Sequence, residues 1–129
     1  MSEPISLYER MGGDSTIRQI VESFYPRVQQ DPLLAPLFPE DIAETIEKQR
    51  LFLTQFFGGP PLYSQIHGHP RLRARHMPFP ITPHHAEAWL RNMDAALDDV
   101  GISGSLREEM WSRLTSTAVH MVNRLPEER

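Results

Sequence analysis

The sequence predicts an all-α protein, and three observations support that prediction. Apolar residues recur at the three- and four-residue spacing of a helix face in four long stretches. Glycine and proline clusters separate those stretches, and no segment alternates apolar and polar residues as a half-buried strand would. The 129 residues are expected to form one domain, residues 1–129, which is long enough to bury a hydrophobic core.

The first part of the chain predicts a short helix, a long helix and a compact turn. A helix over residues 6–11 would end at Gly12-Gly13, and Asp14 or Ser15 would cap a second helix that runs to about Gln30. The apolar face of this second helix consists of Ile17, Ile20, Val21, Phe24 and Val28. Asp31-Pro32 ends it, and a proline-rich apolar turn follows to residue 39.

A third long helix is predicted over residues 40–57, and a polar residue lies in its apolar stripe. The stripe consists of Ile42, Ile46, Leu53, Phe56 and Phe57. Gln49 occupies its middle, and Thr45 lies one turn earlier at its edge. A glutamine buried without partners would cost about 1–3 kcal/mol. Gln49 therefore bonds either the protein interior or a bound ligand, and the pattern does not distinguish the two.

The second half predicts two further long helices. Residues 58–61 end the third helix, and residues up to 70 read as a loop. Thr82 or Pro83 begins a helix with apolar residues at helical spacing up to Val100. Ser105 would cap the last helix, whose apolar face extends to Leu125.

The stretch at residues 71–80 contains a histidine at the end of a short predicted helix. Pro70 would open this helix and Pro78 would close it. Leu72 and His76 are four residues apart and share a face, so His76 is expected to point into an apolar interior. A neutral imidazole there suits a buried metal. The alternative is a histidine that only caps the last carbonyls of its helix.

Three large polar side chains are expected to point into the same interior: Tyr25, Gln49 and Trp89. A buried tyrosine or tryptophan keeps a hydrogen that needs an acceptor. Each residue alone has an ordinary structural explanation. Together, on helices facing an inward histidine, they indicate a polar pocket opposite a metal ligand.

Composition excludes several classes of function. The formal net charge of −4 argues against a nucleic-acid or membrane-surface binder. The absence of cysteine excludes disulfides, thiolate catalysis and iron–sulfur clusters. No stretch resembles a signal peptide or a transmembrane span, so a cytoplasmic location is expected.

Two readings from other classes remain open at this point. One is a zinc-dependent or metal-free helical enzyme, in which His67, His69, His84 and His85 ligate zinc with His76. The other is a helical interaction module, in which the polar interior residues only fix the packing. No glycine-rich phosphate loop or nucleophile motif is present.

The chain as a whole resembles the group II truncated haemoglobins. The segments that carry the resemblance are Phe24-Tyr25, Leu-Phe-Pro at 37–39, Phe-Leu-Thr-Gln-Phe-Phe-Gly-Gly-Pro at 52–60, His-Gly-His-Pro-Arg-Leu-Arg-Ala-Arg-His-Met-Pro-Phe at 67–79, and Ala88-Trp89. The resemblance runs from the opening helix to Asn123. It implies a two-over-two helical sandwich that holds haem b (iron protoporphyrin IX), with mostly loop before His76.

The resemblance also implies roles for the interior residues. His76 matches the proximal iron ligand. Tyr25 and Trp89 match the distal tyrosine and the tryptophan typical of group II, and Thr45 and Gln49 occupy the two distal-helix positions facing the open side of the iron.

Further residues match positions at the haem edge. Phe38 matches an aromatic position beside the haem that is a tyrosine in some relatives, so one distal hydroxyl is missing here. Lys48, Tyr63, Arg73 and Arg75 are candidates for contact with the propionates or the haem edge.

The implied function is reversible binding of O2, NO and CO. Donors from Tyr25, Gln49 and Trp89 would stabilise bound oxygen, so tight binding with slow release is expected. The same pocket suits an NO dioxygenase or a peroxidase-like activity, which would need a separate reductase because the chain has no flavin or nicotinamide motif. The protein is expected to be a monomer or a weak homodimer.

Overall fold

The computed structural model describes residues 5–39 and 41–124, and these residues form helices without any strand. The helices are α1 Leu7–Met11, α2 Gly13–Gln30, α3 Ala43–Phe56, α4 Leu62–His67, α5 Leu72–His76, α6 Pro83–Val100 and α7 Gly104–Met121, with a 3-10 turn at Ala35–Leu37. The all-α prediction is confirmed, and the four predicted long helices are α2, α3, α6 and α7.

The turn between α1 and α2 differs from the prediction. Ser6 caps α1 by accepting a hydrogen bond from the Glu9 amide at 3.1 Å. Gly12, at a φ of 113°, both ends α1 and precedes the first residue of α2. Neither predicted cap, Asp14 or Ser15, is therefore a cap. A left-handed glycine makes the chain reverse within one residue, so Asp14 falls inside the first turn of α2.

The boundaries of α4, α5 and α7 also differ from the prediction. The predicted loop before residue 70 contains α4, a six-residue helix that fits between Pro61 and Gly68. Helix α5 begins at Leu72 and not next to Pro70, because Arg71 adopts a left-handed conformation with a φ of 44°. Helix α7 begins one residue before Ser105, and Ser103 is its cap. The predicted positions Glu40 and Leu125 lie outside the described residues.

Helix α2 is the centre of the packing. It contacts α6 most extensively and also α3, while α6 packs against α7. Each apolar residue predicted for the α2 face is buried. On α6, Met93, Ala96 and Leu97 are fully buried, and Trp89 and Leu90 border the core. The two helix pairs, α2 with α3 and α6 with α7, leave a space that the short helices close.

An ion pair between Arg50 and Asp14 connects α3 to α2 at the surface. Arg50 is 15% exposed, donates to Asp14 at 2.9 Å and pairs with Glu47. Hydrogen bonds from Arg18 and then Arg50 lower the pKa of Asp14, and the bond from Arg50 lowers the pKa of Glu47.

In the described part of the chain no helix is both long and apolar enough to cross a membrane.

Candidate cofactor site

A cavity of about 400 Å³ lies between the two helix pairs. This volume falls in the range of sites for small organic molecules. Its apolar wall is formed by Leu34, Leu37, Pro39, Phe52, Leu53, Phe56, Leu72, Phe79, Ile81, Ala86, Leu114, Ala118 and Met121. A mostly apolar wall with a few polar groups suits a flat hydrophobic cofactor.

His76 lines this cavity from the end of α5. Its Nδ1 lies 2.7 Å from the carbonyl oxygen of Leu72, one turn earlier in the same helix. A carbonyl only accepts hydrogen bonds, so Nδ1 carries the proton and Nε2 of the neutral ring keeps a free lone pair. This is the arrangement that orients a histidine for metal binding.

Asn123 holds the segment that carries His76. Its amide nitrogen donates to the carbonyls of His76 and Phe79 at 3.1 and 3.0 Å, and its side-chain oxygen accepts from the amide of Ile81 at 3.0 Å. Sequence reasoning did not identify this role. The available signal was an asparagine just after the last helix, where its side chain is free to bond a neighbouring backbone.

Tyr25 lines the cavity from α2 and is only 2% exposed. Its ring makes edge contacts with Phe24 and Phe38, with ring centroids 5.1 and 6.1 Å apart. Burial alone raises the pKa of the Tyr25 hydroxyl well above its usual value, and no hydrogen-bonding group lowers it. The hydroxyl therefore stays protonated, and it has no partner among the described residues.

Trp89, Gln49 and Thr45 also line the cavity. Trp89 packs edge-on against Phe24, with centroids 5.3 Å apart. Within residues 5–39 and 41–124, other side chains make the hydrogen bonds of α3 and α6, and neither the indole N–H of Trp89 nor the side-chain amide of Gln49 takes part in one. The structure thus brings Tyr25, Gln49 and Trp89 to the same cavity as His76, with their donors available.

The remaining predicted residues divide between the cavity and the surface. Phe38, Lys48, Tyr63 and Arg75 line the cavity. The Arg75 guanidinium lies 5.7 Å from the centre of the Tyr63 ring, and Lys48 pairs with Glu44 at 3.1 Å. Arg73 does not line the cavity.

Arg73 instead connects α5 to the end of α7. Its guanidinium donates to the carbonyls of His120 and Val122 at 2.6 and 2.9 Å. Those carbonyls belong to the end of α7, where they lack helical partners and a cation is favourable.

The zinc alternative finds no support in the geometry. Within the described residues, no three histidine or acidic side chains gather as metal ligands. His85 does line the cavity, although sequence reasoning considered it only for zinc. Its Nδ1 accepts from the Thr82 amide at 3.0 Å, in a reciprocal cap at the start of α6.

The comparisons with known proteins indicate a globin family. The sequence model of the family described as bacterial-like globin matches residues 6–123. The chain is 55% identical over 116 residues to the group 2 truncated hemoglobin YjbI of Bacillus subtilis, an alignment covering 90% of this chain and 87% of that protein.

Solved structures of truncated haemoglobins superpose on this chain. The group II truncated hemoglobin of Bacillus anthracis superposes with a TM-score of 0.96 at 51% identity, covering 98% of this chain and 97% of that one. A structure described as a truncated oxygen-avid haemoglobin from Bacillus subtilis superposes with a TM-score of 0.89 at 54% identity, covering 92% of this chain and all of that one.

Proposed function

The chain belongs to the bacterial-like globin family, with the two-over-two fold of group II truncated haemoglobins, and on that premise we propose that it binds haem b through His76 and reversibly binds O2. One observation supports this most strongly. A histidine whose Nδ1 bonds the carbonyl of Leu72 and three donors without partners among the described residues line the same cavity.

The residues present fit haem. The cavity wall is mostly apolar, as the faces of a porphyrin require, and Lys48 and Arg75 place cations beside it for two propionates. Tyr63, Thr45 and Phe38 would pack along the cofactor. Arg73 stays a weaker candidate for the propionates because its guanidinium bonds the end of α7.

Haem held by one histidine supplies an open sixth position at which iron binds a diatomic ligand. Tyr25, Gln49 and Trp89 would donate hydrogen bonds to that ligand in a cavity whose wall is mostly apolar. Each such bond contributes about 0.5–3 kcal/mol, and each 1.4 kcal/mol slows release about tenfold. Slow oxygen release follows, and the oxygen-avid description of the Bacillus subtilis relative agrees with it.

A redox role is the second candidate, because the same donors would polarise a bound ligand for reaction. NO dioxygenase and peroxidase-like activities both use such donors, and both would draw electrons from a separate reductase. Slow release suits a sensor, scavenger or redox catalyst better than a carrier.

The test is reconstitution with haemin followed by an absorption spectrum. The protein is expected to take up one haemin and to show an intense band near the violet end. His76→Ala should lose the normal coordination and recover it when free imidazole is added. His84→Ala is the matched control, since His84 is exposed and away from the cavity. A protein that does not take up haemin would refute the proposal.

A further inference from the structure

We propose that the surface formed by α5 and the last turn of α7 docks an acidic one-electron donor protein, an inference that rests on the haem function proposed above. This surface, the α5 face, consists of residues 66–79 and 119–124. Charge, exposed apolar side chains and its position beside the cavity each support the proposal.

The α5 face is basic in an acidic protein. The net charge is −4, yet no aspartate or glutamate occurs from residue 48 to 86 or from residue 110 to 126. Arg71, Arg73 and Arg124 are exposed on this face, in addition to Arg75, which is the propionate candidate. The exposed His69 and His120 belong to the same face. Glu127 and Glu128 follow in the sequence but lie outside the described residues. A partner with clustered carboxylates would therefore be attracted to this face and little repelled.

Exposed apolar side chains concentrate on the same face. Among the described residues six large apolar side chains are exposed, and four of them belong to it: Ile66, Met77, Phe79 and Val119. Methionine, aromatic residues and arginine are enriched at protein interfaces. Exposed apolar side chains together with arginines have the composition of a docking site, whereas a purely solvated surface would have fewer such residues.

The α5 face also has a groove that borders the cavity. This groove, of about 850 Å³, lies between α5 and the second half of α7, and Arg71, Val119 and His120 line it. Phe52, Phe56 and Leu72 line both the groove and the cavity. One layer of side chains thus separates a docked donor from the cofactor space, on the side that carries His76.

A protein partner fits this face better than a membrane does. Arginine forks pair with carboxylates in two parallel hydrogen bonds, which gives a protein partner a defined orientation. Membrane-binding segments carry about four to eight clustered Lys or Arg residues. The four exposed arginines here only reach the lower end of that range, and one of them, Arg73, already bonds the carbonyls at the end of α7. Transient electron-transfer partners need only a small interface.

The step this docking serves is a single electron transfer. The reduced donor, for example a [2Fe–2S] protein, would be oxidised by one electron, and haem held by His76 would accept that electron in the ferric-to-ferrous change. No bond is formed or broken, and no proton needs to move.

The test measures the affinity of the haem-loaded protein for an acidic plant-type [2Fe–2S] ferredoxin by calorimetry at low and high ionic strength. Arg71→Glu and Val119→Asp should each weaken binding about tenfold, as substitutions of central interface residues commonly do. Arg91→Glu is the matched control, an exposed arginine on α6 away from this face, and it should change affinity less than about twofold. High salt should weaken binding of the unsubstituted protein.

Two outcomes overturn the proposal: no binding to the ferredoxin, or equal weakening by Arg91→Glu. If the protein does not bind ferredoxin but binds phosphatidylserine vesicles, the face is assigned to a membrane surface. The haem absorption band is recorded for every variant beforehand. A normal band without ferredoxin binding refutes only this docking site, whereas a missing band refutes the proposed haem function itself.

Discussion

Replacing Tyr25 by phenylalanine separates a role in ligand binding from a role in packing. The substitution removes one hydroxyl and keeps the ring, which packs between Phe24 and Phe38. In the protein without cofactor that hydroxyl has no partner among the described residues. Its loss should therefore change the free energy of unfolding by less than about 0.5 kcal/mol, because no internal hydrogen bond is broken.

The oxygen dissociation rate of the haem-loaded protein should respond much more strongly. A hydrogen bond to a partly charged acceptor contributes about 1.5–3 kcal/mol, so its loss should speed oxygen release about 10- to 100-fold. Flash photolysis or stopped-flow displacement by CO measures this rate. Because burial raises the pKa of Tyr25, its hydroxyl should remain a donor at alkaline pH and the rate should not increase there.

Tyr8→Phe provides the matched control, since it removes the same atom from a tyrosine outside the cavity. Its oxygen dissociation rate should equal that of the unsubstituted protein. An unchanged rate in Tyr25→Phe, or a large loss of stability in the protein without cofactor, would refute the assignment of Tyr25 as a ligand donor.

Two further predictions concern the scaffold. Asn123→Ala removes the hydrogen bonds to the carbonyls of His76 and Phe79 and to the Ile81 amide. It should therefore speed transfer of haem to apomyoglobin and lower the free energy of unfolding by about 1–3 kcal/mol. Unchanged transfer would show that the hydrogen bonds of Asn123 are not needed to hold haem. The lowered pKa values of Asp14 and Glu47 mean that their stabilisation is present above about pH 4 and lost as the pH falls below it. The denaturant midpoint is measured at about pH 7 and at about pH 3.5. The fall in midpoint between the two pH values should be smaller in the double variant Asp14→Asn, Glu47→Gln than in the unsubstituted protein. An equal fall in both proteins would contradict this explanation.

The long helices were predictable because their information is local. Apolar residues at helical spacing identify the buried faces of α2 and α6, and Thr82-Pro83 marks the start of α6 both in the sequence and in the structure. The choice of a left-handed conformation at Arg71 was not predictable. It depends on how residues 67–72 connect two short helices, and no pattern in the sequence records it.

In the candidate site, too, the residues on long helices were predictable from the sequence and a residue on a short helix was not. Side chains on long helices, such as Tyr25, Gln49 and Trp89, line the cavity because the helix period fixes the face on which they lie. Arg73 lies on a five-residue helix, where one residue of shift in the helix start changes which way a side chain points. It therefore reaches the end of α7 and not the cavity wall.

The structure does not show His76 as the helix cap that one of the two hypotheses expected. In that hypothesis the ring bonds the last carbonyls of its helix, whereas Nδ1 bonds the carbonyl of Leu72, the first residue of α5. Here Nδ1 bonds a carbonyl of its own helix, which fixes the tautomer and the ring, and Nε2 remains free. This hydrogen bond supports a five-residue helix that is too short to be stable alone. It also fixes the ring orientation that the proposed iron ligand would need.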